Sequence, residues 1–584
     1  MFKLFKYLKV KDYIMIAVSL LLIVAQVFLD LELPNIMGEI TKKVTMGTSV
    51  NEVWASGLKM LGFAVLSAVL SVIVGFFASK IASNFSYSVR QKEFEKISSF
   101  SMNEMKKFSV PSLITRTTND ITQIQMLISM GLQVMIKAPV LAIVALIKIL
   151  GKSWELSTVL FVALLILVVS IVAIILVVLP KFKKAQKLVD NINKVSEENL
   201  QGVKVVRAFN AESYEKDKFE NANDDLTKNN LFTSKWLSVL FPILNTVMSG
   251  VSLAIYYVGC LLINKADILA RPDLLQQVTE FSSYGLYVVM GFVMLSMIFM
   301  ILPRAQVSAK RINEVLSQDV LVKQGDNDFN DVQEKGLVEL KNVSFKYPDG
   351  EDYVLENISF KLNKGETLGI VGSSGSGKTS LVNLISRIYD ASSGEVLIDN
   401  QNIKDYTFDS LYNKVGYIPQ QAVLFSSSVS ENVAFGDTKD GVSKQDILDA
   451  VELSQAKDFV ENMDGQYDAK ISQGGINVSG GQKQRLSIAR TIARKPEILI
   501  FDDSFSALDY KTDKKLRQEI SQKLNDTTCI IVASRVGTIK DADKILVLDD
   551  GKMVGLGTHK QLLEKCKVYE EIVLSQLSKQ EIEG

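Results

Sequence analysis

Thr367-Leu368-Gly369-Ile370-Val371-Gly372-Ser373-Ser374-Gly375-Ser376-Gly377-Lys378-Thr379-Ser380 decides the reading of the C-terminal half. Residues 367–371 form an apolar run with the marks of a strand. Residues 372–379 match G-x-x-x-x-G-K-[ST], and residues 380–389 read as a helix. A strand, loop and helix of this kind wraps backbone N–H groups around phosphates, and the helix N-terminus adds positive potential. Gly372, Ser373, Ser374, Gly375, Ser376, Gly377, Lys378, Thr379 and Ser380 are therefore candidate ATP-binding residues. Lys378 is expected at the β- and γ-phosphates and Thr379 at Mg²⁺. A second apolar strand, 498–501, ends in Asp502-Asp503. Asp502 fits the carboxylate that holds Mg²⁺ in P-loop enzymes.

Around this stretch, from residue 337 on, short β-branched strands alternate with polar helical stretches. That pattern predicts an α/β P-loop ATPase domain with a largely parallel sheet. Upstream the character reverses. Residues 60–79, 156–180, 236–264 and 281–303 contain no charged residue, and a bilayer crossing takes roughly 20 apolar residues. A shorter run covers 14–29. A sixth, 127–150, is interrupted by Lys137 and Lys148. The prediction is a membrane α-helical domain over 1–317 with six transmembrane helices. The spans lie at about 13–37, 57–80, 127–150, 155–180, 236–264 and 276–303. A polar linker over 318–336 and a nucleotide-binding domain over 337–584 follow.

The first dozen residues alternate Phe, Leu and Tyr with Lys3, Lys6, Lys9 and Lys11, as in a helix lying in the membrane interface. No small-residue cleavage site follows, so the first span reads as a retained anchor. Arg90, Lys92, Lys96, Lys106, Lys107 and Arg116 fall between spans two and three. Lys181, Lys183, Lys184 and Lys187 fall between spans four and five. This bias puts both termini, both long loops and the ATPase domain on the cytoplasmic side of the cytoplasmic membrane. The two loops hold almost no Gly or Pro and should be helices projecting from the bilayer. A soluble P-loop ATPase with a fortuitously apolar N-terminal half is the contrasting reading.

The 584 residues carry 65 Lys+Arg and 65 Asp+Glu, which excludes nucleic-acid binding driven by bulk charge. A hydrophobic fraction of 47% excludes a disordered chain. Cys260, Cys529 and Cys566 make no disulfide framework, and one histidine, His559, makes no multi-His metal centre.

Val478-Ser479-Gly480-Gly481-Gln482 resembles the signature of the ATP-binding-cassette (ABC) transporters, L-S-G-G-Q. Other landmarks of that family stand in order. Tyr347 resembles the aromatic residue that stacks on adenine. Gln420, in Tyr417-Ile418-Pro419-Gln420, resembles the Q-loop glutamine, placed at the catalytic site and at Mg²⁺. Ser506-Ala507-Leu508-Asp509 resembles the D-loop. Thr115-Arg116-Thr117-Thr118-Asn119-Asp120 and the segment 199–209 resemble the two intracellular loops of exporters. The resemblance implies two cassettes facing head to tail, each ATP held by the P-loop of one and the signature of the other. Ser479, Gly480, Gly481 and Gln482 would then face a partner's ATP. One membrane domain and one cassette imply a half-transporter that dimerises in membrane lipid.

The departures from the family pattern are specific. Asp503 stands where hydrolysing members usually carry Glu. One methylene fewer withdraws the carboxylate by about 1.5 Å, and a general base must reach its water at roughly 2.6–3.2 Å. Ser534, in Ala533-Ser534-Arg535, stands at the switch-histidine position. Ser472-Gln473-Gly474-Gly475 stands where exporters often read G-E-R-G. The set resembles the degenerate-site subunit of heterodimeric bacterial multidrug exporters. The implied partner is a second half-transporter with Glu at the base position and a switch His, and the implied substrate an amphiphilic small molecule. Lipid or peptide export, a homodimer with a working Asp503, and a non-transporting regulator or ATP-gated channel are the other readings. Lys137, near mid-depth of span three, is either functional or a lysine that snorkels or faces a pore. Phe281, Tyr284, Tyr287, Met290, Phe292, Met294, Met297, Phe299 and Met300 make span six adaptable to apolar ligands or simply a packing face.

Overall fold

The structure is a computed structural model describing residues 2–150, 152–329, 335–436 and 441–576. The chain divides into two compact units, Met1–Ser98 with Pro111–Ser317, and Ser99–Val110 with Gln318–Gly584.

The first unit is helical. A 3-10 turn, Phe2–Tyr7, precedes α1 (Val10–Thr45) and α2 (Val50–Ser98). After α3 (Met102–Phe108), which belongs to the second unit, come α4 (Val110–Thr115), a π turn (Arg116–Asp120) and α5 (Ile121–Leu150). The remainder is α6 (Trp154–Gln201), α7 (Val203–Ala208), α8 (Glu212–Ser238), α9 (Leu240–Lys265) and α10 (Arg271–Leu316). Among the described residues, six stretches are long and apolar enough to cross a membrane: Val10–Thr45, Val50–Ser98, Val110–Ile149, Trp154–Gln201, Glu212–Lys265 and Arg271–Leu295. The 49 residues of α2 extend about 73 Å at 1.5 Å per residue, more than twice a hydrocarbon core of about 30 Å. The polar segments between spans are thus continuations of the spanning helices.

These helices wear apolar side chains outward. Val72 is 72% exposed, Phe161 68% and Leu176 68%, which suits a lipid solvent and not water. Inside, Val27 and Leu31 of α1 meet Leu141 and Ala145 of α5, Val251 and Ile255 of α9, and Phe281 and Tyr284 of α10. Gly285 lets α10 approach closely, since a Cβ there would lie 2.7 Å from Leu160 Cδ2.

Lys137 does not stand alone: its Nζ lies 3.0 Å from Asp30 Oδ2. Lys148 pairs with Glu32 at 2.7 Å, Lys152 with the fully buried Glu280, and Lys42 with Asp273. The reading of Lys137 from a single span overlooked carboxylates on α1 and α10, because a charge in low dielectric is tolerated when paired. Tyr284 donates to Leu31 O at 2.9 Å, and Phe281 is buried beside it, so these two span-six aromatics pack the bundle. The side chains of Met297, Phe299 and Met300 lie outside the described residues.

Among the described residues the second unit is built on ten strands: β1 (Val338–Phe345), β2 (Leu355–Leu362), β3 (Thr367–Gly372), β4 (Ser393–Ile398), β5 (Gln401–Asn402), β6 (Val415–Ile418), β7 (Ile498–Asp502), β8 (Thr528–Val532), β9 (Lys544–Asp549) and β10 (Lys552–Gly557). Their order is β5-β4-β1-β2-β10-β9-β3-β8-β7-β6. From β9 to β6 every pairing is parallel, whereas β4-β1-β2 and β10-β9 are antiparallel. The sheet is less parallel than its alternation predicts because short connections, as from β1 to β2, admit only antiparallel return. β7 and β8 are buried along their whole length, as expected of strands covered on both faces.

The segment predicted as a linker is laid against this unit. Gly325 N donates to Tyr406 O at 2.8 Å, Asn327 N to Asp405 O at 3.1 Å, and Thr407 N to Asn327 O at 2.9 Å. Its backbone finds partners that its polar composition does not record, and residues 330–334 of it lie outside the described residues.

Candidate functional site

β3 lies between β9 and β8, so the loop after it opens at the C-terminal edge of the parallel strands, where open α/β sheets bind ligands. A Cβ on Gly372 would fall 2.2 Å from Leu548 O. Gly377 has φ +96° and would place a Cβ 2.7 Å from Leu355 Cδ2. Only glycine lets the loop turn there into the helix Lys378–Ile385.

A cavity of about 490 Å³ opens at this point, and its lining includes Lys378, Thr379, Gln420, Asp503 and Ser534. Residues singled out on four separate sequence segments thus share one wall. Lys378 Nζ donates to Gly372 O at 2.9 Å and Ser373 O at 2.7 Å. Burial lowers its pKa, opposed by Asp503 and Asp502. The Ser376 hydroxyl is buried and has no hydrogen-bond partner among the described residues. A cation resting on carbonyls and an unpaired hydroxyl in a glycine cradle fit a phosphate group.

Asp502 ends β7 and is 2% exposed. Its Oδ1 accepts from Thr379 Oγ1 at 3.0 Å and its Oδ2 from Tyr417 OH at 2.9 Å. Burial raises its pKa against those two hydrogen bonds, and Asp503 adds to the rise. A carboxylate and a hydroxyl side by side are the oxygen donors a hard cation such as Mg²⁺ takes.

At Asp503 the chain leaves the strand with φ 47°, a left-handed conformation that Asp tolerates better than most residues. Gln420 Nε2 donates to Asp503 Oδ2 at 3.2 Å, and Ser534 Oγ donates to Oδ1 at 3.2 Å. Two of the departures from the family pattern, Asp503 and Ser534, are therefore in direct contact.

Tyr347 sits edge-on to Phe345 and Tyr389, and its hydroxyl lies 2.8 Å from Ser380 Oγ. Lys106 Nζ, on α3, stands 4.8 Å over the Tyr347 ring. Ser479 is the N-cap of the helix Gly480–Ile492, with Gln482 closing a capping box. Neither they nor Gly480 and Gly481 line the cavity, and the cap leaves Ser479 and Gly480 exposed. Asp509 caps the helix Tyr510–Lys523 in the same way. His559 hydrogen-bonds Tyr569 OH at 2.7 Å, apart from the cavity.

Two contacts escaped the sequence reading. Tyr417 was legible only as part of the Gln420 motif, and its phenol holds the Asp502 carboxylate. Lys106 counted as a loop charge, and nothing in its neighbourhood signalled an aromatic ring more than two hundred residues away.

Comparison with known proteins places both halves. The ABC transporter transmembrane region family matches residues 16–281, and the ABC transporter family matches 355–506. An uncharacterized ABC transporter ATP-binding protein of Mycobacterium tuberculosis is 36% identical over 564 residues, 96% of each chain. A putative multidrug export ATP-binding/permease protein of Staphylococcus aureus is 30% identical over 518 residues, 89% of this chain and 88% of that one. The solved structure of a bacterial Atm1-family ABC exporter with ATP bound superposes with a TM-score of 0.79 at 24% identity, covering 97% and 98% of the two chains. The chain thus belongs to the ABC transporters: a multi-pass membrane protein of exporter fold whose ATP-binding domain couples hydrolysis to transport.

Proposed function

We propose that the chain is one half of a heterodimeric exporter of amphiphilic small molecules, and that the ATP site built on its own P-loop turns over poorly. ABC exporters work as dimers, and the Staphylococcus aureus relative, named a putative multidrug export protein, supports the substrate class. On this reading residues 1–317 form the membrane domain and 337–584 the nucleotide-binding domain, on the cytoplasmic side of the cytoplasmic membrane.

The observation that carries the reading is the Asp503 carboxylate, engaged by Ser534 on one oxygen and Gln420 on the other. A general base needs a free lone pair aimed at its water. Here the shorter acid accepts a hydrogen bond on each oxygen, which lowers its basicity, and the residue at the switch position is a neutral hydroxyl spent on that acid. Lys378, the Gly372–Gly377 loop and Tyr347 bind and orient the nucleotide. Thr379, Asp502 and Gln420 hold Mg²⁺, which when bound neutralises phosphate charge. Ser479, Gly480, Gly481 and Gln482 complete the site of a partner that carries Glu and His at the two altered positions.

ATPase activity of the purified chain in lipid, alone and with the co-expressed partner half-transporter, tests this. Near-silence alone and strong activity together are expected. Strong activity alone would favour a homodimer with a working Asp503, a reading supported by the retained carboxylate beside Gln420.

A further inference from the structure

The buried face of α2 reads Ala78, Ile81, Ala82, Phe85 and Val89, and the next residue in that row is Glu93. Phe85 and Val89 join Leu4, Ile121, Ile124, Ala309 and Ile312 in one apolar cluster. Helical spacing therefore carries Glu93 into an interior row. It is fully buried, and neither carboxylate oxygen has a hydrogen-bond partner among the described residues. A carboxylate in that position is strongly disfavoured, whereas a neutral carboxyl group is tolerable.

A charged cluster stands beside it. Arg116 opens the π turn Arg116–Asp120, a geometry that recurs at functional sites. Its Nη1 lies 3.0 Å from Glu314 Oε2 on α10 and also donates to the Arg311 carbonyl. Its Nε donates to Ser112 Oγ at 3.2 Å. Asp120 accepts from Ser308 Oγ at 2.8 Å and pairs with Arg311 at 3.3 Å. On α2 itself, Arg90 reaches the Thr117 carbonyl and Lys92 pairs with Glu95. The 3-10 turn brings Tyr7 to this cluster, with Lys6 over its ring, and the first turn of α5 carries no charge. Burial pushes the Glu93 carboxyl up to about 7, with Arg116 pulling it down and Asp120 pushing it further up.

We propose that Glu93 is a proton-binding site that selects the partner of Arg116. Protonated, Glu93 leaves Arg116 on Glu314 and the Arg311 carbonyl of α10. Giving its proton to water, it becomes a buried anion whose nearest compensation is the same guanidinium. Arg116 then swings toward α2, and its hold on α10 loosens. The pH on the side of these helix extensions thereby biases how tightly α2, the π turn and α10 are tied.

The test is thermal unfolding of the full chain in lipid nanodiscs from pH 5.5 to 8.5, followed by tryptophan fluorescence. Unfolded, the carboxyl releases its proton near 4.5; folded, it holds it to about 7. The folded state thus binds more protons in between, and stability falls as pH rises across that window. Relative to Glu93→Gln, the wild type should lose a few degrees over this range. Glu314→Gln, which removes the anionic partner of Arg116 on α10, should move the wild-type midpoint to lower pH. A buried acid with a structural role alone would not respond to Glu314. Equal pH profiles for wild type and Glu93→Gln would overturn the proposal. So would a midpoint unmoved by Glu314→Gln, a measurement that stands even if Glu93→Gln fails to fold.

Discussion

Ser534 Oγ donates to Asp503 Oδ1 across 3.2 Å, so the two residues that depart from the hydrolytic pattern are partners in one hydrogen bond. Asp503→Glu together with Ser534→His is expected to raise the ATPase rate of the chain alone by about 10²-fold or more, the range of a well-placed general base. Phosphate release by the purified double variant in lipid checks this. A rate no higher than wild type would show that the defect lies outside these two side chains.

Tyr417 and Thr379 each occupy one oxygen of the buried Asp502. Tyr417→Phe leaves one oxygen without its donor, at a cost of about 1–2 kcal/mol. The cassette should melt at lower temperature without nucleotide and recover part of the loss with Mg²⁺-ATP. Calorimetry with and without Mg²⁺-ATP reads both effects.

On the proposed reading Tyr347 stacks on adenine, and stacking on an aromatic side chain contributes about 1–3 kcal/mol. Tyr347→Leu should weaken ATP binding about 10-fold, and Tyr347→Trp should retain it. Equilibrium binding of a fluorescent ATP analogue distinguishes them. Equal affinity for wild type and Tyr347→Leu would remove Tyr347 from the nucleotide site.

Lys137 and Asp30 join α5 to α1 at 3.0 Å in the apolar bundle. Breaking such a pair from one side leaves an uncompensated charge, costing about 3 kcal/mol where burial is deep. Lys137→Met should lower the melting temperature in lipid more than the double variant Lys137→Met/Asp30→Asn does. A double variant less stable than Lys137→Met would mean that the two residues act independently.

Much of this was legible along the chain because the signals are local. A bilayer crossing is a property of twenty neighbouring residues, and a P-loop requires its glycines, Lys378 and Thr379 within eight positions. The capping box of Ser479 and Gln482 is likewise contained in four residues. The identities of Asp503 and Ser534 needed no coordinates, only comparison with the pattern they break.

What lay beyond the linear chain depends on pairs distant in sequence. Asp30 meets Lys137, Tyr417 meets Asp502, Lys106 covers Tyr347, and Gln420 and Ser534 close on Asp503. Hydrophobic periodicity specifies which face of a helix or strand is buried, but not which residue of another element stands opposite. Glu93 shows both halves of this. Its row on α2 follows from spacing alone, while its lack of a hydrogen-bond partner beside Arg116 exists only once α2, the π turn and α10 are packed together. Composition and spacing thus settle solvent, element and motif. The energy of a buried charge is decided by neighbours that folding alone brings within a few ångströms.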